Sequence, residues 1–218
     1  MVSPPFPPLA TIDHLVIAAG TLADGIEYIA EIAGVVAQPG GKHVAMGTHN
    51  ALVRLAEQVY LEIIAIDPAG TKPARPRWFD LDNITLQADL TERPRLIHWV
   101  ARTTDIERAV TQCPVPLGVV HPMARGDYRW RITIPDDGSL PGKGVVPTLI
   151  QWDVPLHPAS TLPKSNVSIA GLAAAHPDPA EIRGALAVLG LDGILPTTYD
   201  REPRLAAMLR TPRGIVTL

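Results

Sequence analysis

The sequence has 218 residues, of which 46% are hydrophobic, so it can bury a core as one large domain or two small ones. The formal net charge is -3 and no long basic run occurs, which excludes the electrostatic footprint typical of a nucleic-acid-binding protein. The single cysteine, Cys113, excludes an internal disulfide and a zinc site of paired cysteines, and indicates a reducing compartment.

The first predicted strand, residues 11–18, carries a histidine inside an apolar and β-branched run. Alternation along an extended chain predicts that His14 shares one face with Val16, while Asp13 shares the other face with Leu15. One face can then pack on a helix while His14 points away from that helix.

A helix and three further strands are predicted next. Apolar residues recur at helical spacing over 22–33, and Gly34 follows as a stop signal. Residues 35–46 are predicted to form a short strand and turn, and two β-rich runs, 48–55 and 60–66, are predicted to form a hairpin. The unit over residues 10–67 therefore has the order βαβββ.

The same order starts again after a connecting loop over 68–95, which is rich in proline and charge. The second unit spans 96–154, and its repeat is structural, because the two copies share little residue identity. Its predicted elements are a strand over 96–102, a helix over 105–113, a weaker strand over 117–121, and strands over 128–134 and 146–152.

Residues 164–218 are predicted to form a C-terminal strand-helix-strand extension packed on the same domain. A strand over 166–173 precedes a helix over 179–189 that ends at Gly190, and further strands follow. The predicted fold class is therefore α+β, with tandem βαβββ units and a C-terminal βαβ-type extension.

Three segments of the first unit carry a family resemblance. The run Ile12-Asp13-His14-Leu15-Val16, then Gly47-Thr48-His49-Asn50-Ala51-Leu52 and Tyr60-Leu61-Glu62-Ile63-Ile64, resembles the vicinal oxygen chelate superfamily of glyoxalase and bleomycin-resistance-like folds. More narrowly, it resembles the bacterial glyoxalase-like domain family. The resemblance covers 11–67 and extends in outline to 153. It implies that the paired units curl into a cup that holds a divalent metal.

The resemblance also implies a set of metal ligands, because the first and last strands of each unit supply them. Carried over to this chain, the ligands are His14, Glu62 and His98, with His49 as the alternative to His98. Alternation supports Glu62, because Leu61 and Ile63 can face the helix while Glu62 faces the cup. Imidazole nitrogens and a carboxylate suit zinc, manganese, iron, nickel or cobalt.

The last strand of the second unit offers Gln151 as a further ligand or as a polariser of the substrate. The resemblance places a second glutamate there in glyoxalase I, where it acts as a base. Glutamine cannot accept a proton in that role, so glyoxalase I activity itself is not expected. Asp153, His49 and Glu62 are the alternative bases, and His49 is also a candidate for substrate contact.

Each candidate also has a purely structural interpretation. His14 can be a core histidine bonded to backbone, and Glu62 can pair with Arg54 across the hairpin. His49 can occupy a solvated hairpin position, and His98 can face the core.

These observations predict a cytoplasmic metalloprotein that acts on a small oxygenated molecule by lyase, isomerase or ring-opening dioxygenase chemistry. The alternative is a non-catalytic protein of the same fold that binds or sequesters a small molecule. Residues 1–8 show no basic region followed by an apolar run, and no stretch of roughly 18 apolar residues occurs, so no membrane partner is expected. A homodimer is a possible assembly.

Overall fold

The computed structural model describes residues 9–218, and an eight-stranded curled sheet is its largest element. A second sheet of four strands lies C-terminal to it in sequence. Residues 1–8, on which the expectation of no targeting segment rests, lie outside the described residues. Over 9–218, none of the helices has the length and hydropathy needed to span a lipid bilayer.

The first unit of the large sheet follows the predicted order. It comprises β1 (Ala10–Ala18), α1 (Leu22–Ala33), β2 (Gln38–His43), β3 (Thr48–Ala56) and β4 (Val59–Ile66). Helix α1 begins where the Thr21 hydroxyl accepts a hydrogen bond from the Asp24 N–H. It ends at Gly34, whose φ of 70° is a left-handed conformation that glycine adopts freely. Local residues thus set both ends of α1.

The connection between the units carries a helix that the sequence analysis did not predict. This helix, α2 (Ile84–Leu90), begins where the Asn83 side chain accepts hydrogen bonds from the N–H groups of Thr85 and Leu86. The second unit then comprises β5 (Arg95–Thr103), α3 (Ile106–Gln112), β6 (Val119–Arg125), β7 (Tyr128–Ile134) and β8 (Thr148–Trp152).

The remaining elements form the C-terminal extension. They are α4 (Pro158–Thr161), β9 (Ser168–His176), α5 (Pro179–Leu189), β10 (Thr197–Tyr199), β11 (Arg204–Thr211) and β12 (Gly214–Thr217). Leu172 of β9 and Ile182 of α5 belong to the same buried cluster as Leu15 of β1 and Trp99 of β5. The extension therefore shares its core with the large sheet.

The large sheet joins the two units through their first strands. Its order is β2-β3-β4-β1-β5-β8-β7-β6, and β1 pairs antiparallel with β5 at the centre. Within each unit the first and last strands pair in parallel. The pairing at the join is reciprocal, because Val16 pairs with His98 and Val100 pairs with His14. The α+β class and the tandem units are thus confirmed.

A β-bulge in β1 corrects one expectation about side-chain direction. The pairing of β1 with β5 skips Asp13, which lies between the paired residues Ile12 and His14. The Asp13 carboxylate contacts the His14 imidazole. The prediction that Asp13 shares the helix-facing side with Leu15 is therefore wrong, because one extra residue breaks the alternation.

Both faces of the large sheet are buried. On the convex face, Ile63 packs so close to α1 that a Cβ at Gly25 would lie 2.4 Å from its side chain. On the concave face, Val16, Val100 and Ile150 cluster with aromatic residues of the connection and of β7. The few polar side chains on the concave face are consequently the informative ones.

Candidate functional site

The concave face of the large sheet, which we call the cup, surrounds a cavity with about 30 Å³ of open space, room for about two water molecules. Its polar lining consists of His14, His43, Asn50, Tyr60, Glu62 and Arg125. Its apolar and aromatic lining consists of Trp78, Phe79, Trp130, Ile132, Ile150 and Trp152. Strands of both units and the connection contribute to the cup.

His14 is held in one orientation by two neighbours. Its ring stacks on the Tyr60 ring of β4, with centroids 4.4 Å apart and planes 16° apart. Its Nδ1 lies 2.6 Å from Asp13 Oδ1. Because an ionised carboxylate only accepts hydrogen bonds, Nδ1 carries a proton and Nε2 is the atom presented to the cup.

Asp13 is a fully buried carboxylate that accepts hydrogen bonds from three rings. Besides His14, the donors are Trp152 Nε1 at 3.0 Å and His157 Nε2 at 3.1 Å. His157 Nδ1 accepts from the Ala159 N–H, so its Nε2 carries the proton. Burial by itself would raise the pKa of Asp13, but the hydrogen bonds from His14 and His157 hold this pKa well below its usual 3.8. Asp13 therefore stays ionised at neutral pH.

Glu62 lies opposite His14 and is only 4% exposed. Its Oε1 accepts a hydrogen bond of 2.6 Å from Asn50 Nδ2, and its Oε2 lies 3.6 Å from His14 Nε2. Arg54, the alternative partner considered for Glu62, donates instead to the backbone carbonyl of Leu162. One oxygen of Glu62 is thus held by Asn50, and the other faces the imidazole.

The facing atoms of His14 and Glu62 fit two adjacent ligands of a divalent cation, since a metal about 2.1 Å from each can bridge a 3.6 Å gap. Asp13 and Asn50 support these two groups in the way that outer hydrogen-bond partners support metal ligands. Within residues 9–218, no third His, Cys, Asp or Glu completes a cluster with them. Water or substrate oxygen would supply the other ligands.

Arg125, the last residue of β6, is tied to the cup by two acceptors. Its Nη1 lies 3.1 Å from both His43 Nε2 and Asn50 Oδ1. Burial, followed by the Arg125 charge, lowers the pKa of His43 from 6.5 to about 3, so this ring is neutral and donates through Nδ1 to the Thr48 hydroxyl. Asn50 therefore separates the guanidinium from the Glu62 carboxylate while bonding to both.

Two aromatic residues of the connection complete the cup. Trp78 and Phe79 stack at 5.3 Å, and both are buried. Phe79 and Asp80 have φ values of 59° and 57°, a left-handed conformation that is costly for residues other than glycine. The buried indole N–H of Trp78 has no hydrogen-bond partner among the described residues. The cup thus contains backbone strain and one unsatisfied donor.

The structure does not bring His98 to the pair formed by His14 and Glu62. Its Nδ1 donates to the Gly144 carbonyl at 3.2 Å, and its Nε2 accepts from the Thr148 N–H at 3.0 Å. Burial lowers the pKa of His98 from 6.5 to about 3. With both ring nitrogens engaged, His98 serves the packing of β5 against β8.

His49 and Gln151 lie outside the cup. His49 precedes Asn50 in β3 and so points to the opposite face of the sheet. Gln151 Oε1 accepts a 2.9 Å hydrogen bond from the N–H of Ile106, the first residue of α3. Gln151 therefore satisfies a free backbone donor at the start of that helix.

Five polar residues of the site were missed by sequence reasoning: Asp13, His43, Asn50, Arg125 and His157. Asn50 offered a local signal, since it is an amide inside an otherwise apolar strand that must find a partner when buried. Arg125 and His157 offered none, because their partners lie 75 and 144 residues away in the chain. Asp13 was concealed by the bulge.

Comparison with known families gives one match that covers most of the chain. The model of the glyoxalase-like domain matches residues 12–190, a range that contains every residue of the cup. No curated protein sequence matches the chain.

Solved structures with a similar fold share little sequence with this chain. A hypothetical protein from Staphylococcus aureus has a TM-score of 0.50 and 13% identity, over 95% of this chain and 84% of that one. Methylmalonyl-CoA epimerase from Mycobacterium tuberculosis has a TM-score of 0.43 and 18% identity, over 70% and 91% of the two chains. A Streptomyces coelicolor methylmalonyl-CoA epimerase variant bound to 2-nitronate-propionyl-CoA has a TM-score of 0.40 and 18% identity, over 67% and 96%.

Proposed function

Since this chain belongs to the glyoxalase-like domain family, we propose that its cup binds a small oxygenated molecule beside a divalent cation held by His14 and Glu62. The proposed chemistry is of the lyase, isomerase or dioxygenase type. The observation that carries the proposal is the 3.6 Å approach of His14 Nε2 to Glu62 Oε2 inside a buried cavity. A cytoplasmic location and a homodimer stay predictions.

The buried surroundings make that approach unfavourable unless a positive charge lies between the two atoms. Asp13 fixes the His14 proton on Nδ1, so Nε2 and the Glu62 carboxylate present lone pairs to each other. A second proton on His14 or a metal ion resolves this conflict. A cation bound by both groups would act as a Lewis acid on a substrate carbonyl.

The protein's own residues would prepare the cup for such chemistry. Asp13 holds the imidazole in one tautomer, and Asn50 holds one carboxylate oxygen so that the other stays directed at the cavity. The aromatic walls exclude bulk water, which strengthens every charge interaction inside. Tyr60 prevents rotation of the His14 ring by stacking on it.

Metal uptake tests the proposal directly. The chelator-treated full chain is titrated with Zn²⁺, Mn²⁺, Ni²⁺ and Co²⁺, and bound metal is measured by elemental analysis and thermal shift. We expect one equivalent in the wild type and at least about a tenfold loss of affinity in both His14→Gln and Glu62→Gln. Glu57→Gln, in the exposed turn of the same hairpin, is the matched control. Stoichiometric metal in both cup variants would refute the proposal.

A second candidate function is binding without catalysis or metal. One observation favours it: the described residues supply two metal donors rather than three. A wild-type protein that takes up no metal and shows no metal-dependent stabilisation would support this second function.

A further inference from the structure

The guanidinium of Arg125 is fixed in place but has no anionic partner. Within residues 9–218, the ion pairs found for arginine join Arg77, Arg95, Arg102, Arg131 and Arg204 to aspartates, and none involves Arg125. Its Nη1 is held by His43 Nε2 and Asn50 Oδ1, each at 3.1 Å. Because His43 is neutral and Asn50 is uncharged, neither of these two partners neutralises the guanidinium.

The edge of this guanidinium formed by Nε and Nη2 makes no hydrogen bond to any described residue. That edge has the fork geometry that binds a carboxylate through two parallel hydrogen bonds. The stem is positioned as well: the guanidinium carbon lies 5.8 Å from the Tyr128 ring centre, and a Cβ at Gly41 would lie 3.0 Å from Arg125 Cδ. Arg125 is therefore preorganised with its bidentate edge unused.

A second donor in the same lining also has no acceptor. The indole N–H of Trp78 is buried without a partner among residues 9–218, and Trp78 is 4% exposed. An unsatisfied buried donor costs about 1–3 kcal/mol, so a ligand oxygen near it would recover free energy. The Trp78 ring meets the His43 ring edge-on with centroids 4.9 Å apart, so this indole packs on the residue that holds Arg125.

Asn50 explains why Arg125 is available to a ligand. Its Oδ1 accepts from the guanidinium while its Nδ2 donates to Glu62 at 2.6 Å, so the two opposite charges are bridged rather than paired. A direct ion pair would neutralise both groups. The bridge leaves Glu62 directed at His14 and leaves Arg125 free for an incoming anion.

We propose that the ligand of the cup is a small carboxylate with a planar apolar body, whose carboxylate binds the free edge of Arg125 and whose body packs against the indoles of Trp78, Trp130 and Trp152. The inference rests on the proposed function only in that the same cup holds the ligand. It names the ligand class whether or not a metal is bound. Because the open space is small, the ligand displaces aromatic side chains of the cup as it enters.

Benzoate and benzamide test the proposal, since they have the same shape and differ in charge. Binding to the full chain is measured by tryptophan fluorescence and by calorimetry, at low salt, with and without prior chelator treatment. We expect benzoate to bind at least about tenfold more tightly than benzamide. Inorganic phosphate, which has the charge but no apolar body, should bind more weakly than benzoate.

The Arg125→Gln variant should lose that tenfold preference by weakening benzoate and leaving benzamide unchanged. Arg129→Gln is the matched control, because Arg129 lies in the adjacent strand and, among the described residues, its guanidinium bonds to the backbone carbonyls of Gly126 and Tyr128 alone. Arg125→Lys should retain part of the preference, since lysine keeps the charge and loses the fork.

Equal binding of the two probes, no binding of either, or an unchanged preference in Arg125→Gln would each overturn the proposal. Phosphate binding as tight as benzoate binding would refute the part of the proposal that gives the ligand an apolar body. A wild type that takes up no metal but still prefers benzoate refutes the metal function and leaves this inference intact. A protein that binds metal but shows no preference for benzoate refutes this inference and leaves the metal function intact.

Discussion

His14 and His98 occupy equivalent positions in the two units of the sheet. Each follows a residue that the pairing of β1 with β5 skips, Asp13 before His14 and Ile97 before His98. What differs is the chemistry of the skipped residue, since one is a carboxylate and the other is apolar. Only the imidazole of the first unit is therefore backed by a negative charge.

The strand that faces each histidine also differs between the units, with a charged residue in the first unit and an uncharged residue in the second. Glu62 of β4 is paired with Val16, and the corresponding residue of β8, paired with Val100, is Thr148. The Thr148 N–H bonds to the imidazole of His98. The second unit thus uses its histidine to stabilise the sheet, while the first unit presents its histidine to the cup.

The Asp13→Asn substitution should reduce both metal affinity and acid sensitivity. The amide cannot act as a threefold anionic acceptor, so the His14 tautomer is no longer fixed and metal affinity should fall by about 10–100-fold. The folded state lowers the pKa of Asp13 below 3.8, so this group contributes stability above that pH, and the contribution is lost as the pH falls below it.

Urea unfolding midpoints between pH 2 and pH 7 measure this effect. The decline of stability below about pH 4 should be shallower in Asp13→Asn than in the wild type, whereas Asp127→Asn, in an exposed turn, should leave it unchanged. An identical acid profile in Asp13→Asn and the wild type would contradict the proposed ionised state of Asp13.

His98 should contribute to loss of stability in mild acid. Its pKa in the folded state is about 3 against 6.5 in the unfolded chain, so below pH 6.5 the unfolded state binds the extra proton. Stability from this group is complete above pH 6.5 and should fall by up to about 1.4 kcal/mol for each pH unit below it. In His98→Asn the dependence of the unfolding free energy on pH should correspond to about one proton fewer.

An NMR titration tests the same assignment in the folded protein. The ring signals of His98 should not move above about pH 4, and a midpoint near 6.5 would contradict the assignment.

Gln151→Ala should affect stability and leave the cup unchanged. The substitution removes the acceptor for the Ile106 N–H, which should cost about 1 kcal/mol of unfolding free energy. Metal uptake and benzoate affinity should equal those of the wild type. Gln151→Glu, which keeps an acceptor, should recover most of the loss, and an effect of Gln151→Ala on metal uptake would show that this residue acts in the cup.

At position 79 a glycine variant should be more stable than an alanine variant, which reverses the usual order. Removing this buried ring should cost about 3–5 kcal/mol in either variant, but glycine relieves the φ of 59°. We expect Phe79→Gly to be more stable than Phe79→Ala by about 1 kcal/mol in urea unfolding. At Trp130, which lies in regular strand β7, the glycine variant should be the less stable of the two.

The sequence predicted elements whose signals are local. The bounds of α1 follow from its cap, its periodicity and its terminal glycine, and the direction of Glu62 follows from alternation in β4. Alternation failed where a bulge inserts Asp13, because one residue inverts the faces. It also gave no means of choosing the face of Gln151, since both faces of this sheet are buried and apolar residues line either side.

Contacts between distant residues were beyond the reach of sequence patterns. Arg125 of β6 reaches Asn50 of β3 because the sheet curls until its two edge strands, β2 and β6, contact each other. The strained turn at Phe79 likewise has no local signal, because neither residue with a positive φ is a glycine.

The hydrogen bond from His157 to Asp13 bears on how the protein matures during synthesis. All eight strands of the large sheet have left the ribosome before residue 157 does, yet the carboxylate beneath His14 still lacks one of its three donors. A nascent chain halted at that point would contain every strand of the large sheet, but it would lack one donor to Asp13 and the core contacts of the extension. We therefore expect a chain still on the ribosome at that length to bind metal more weakly than the released protein.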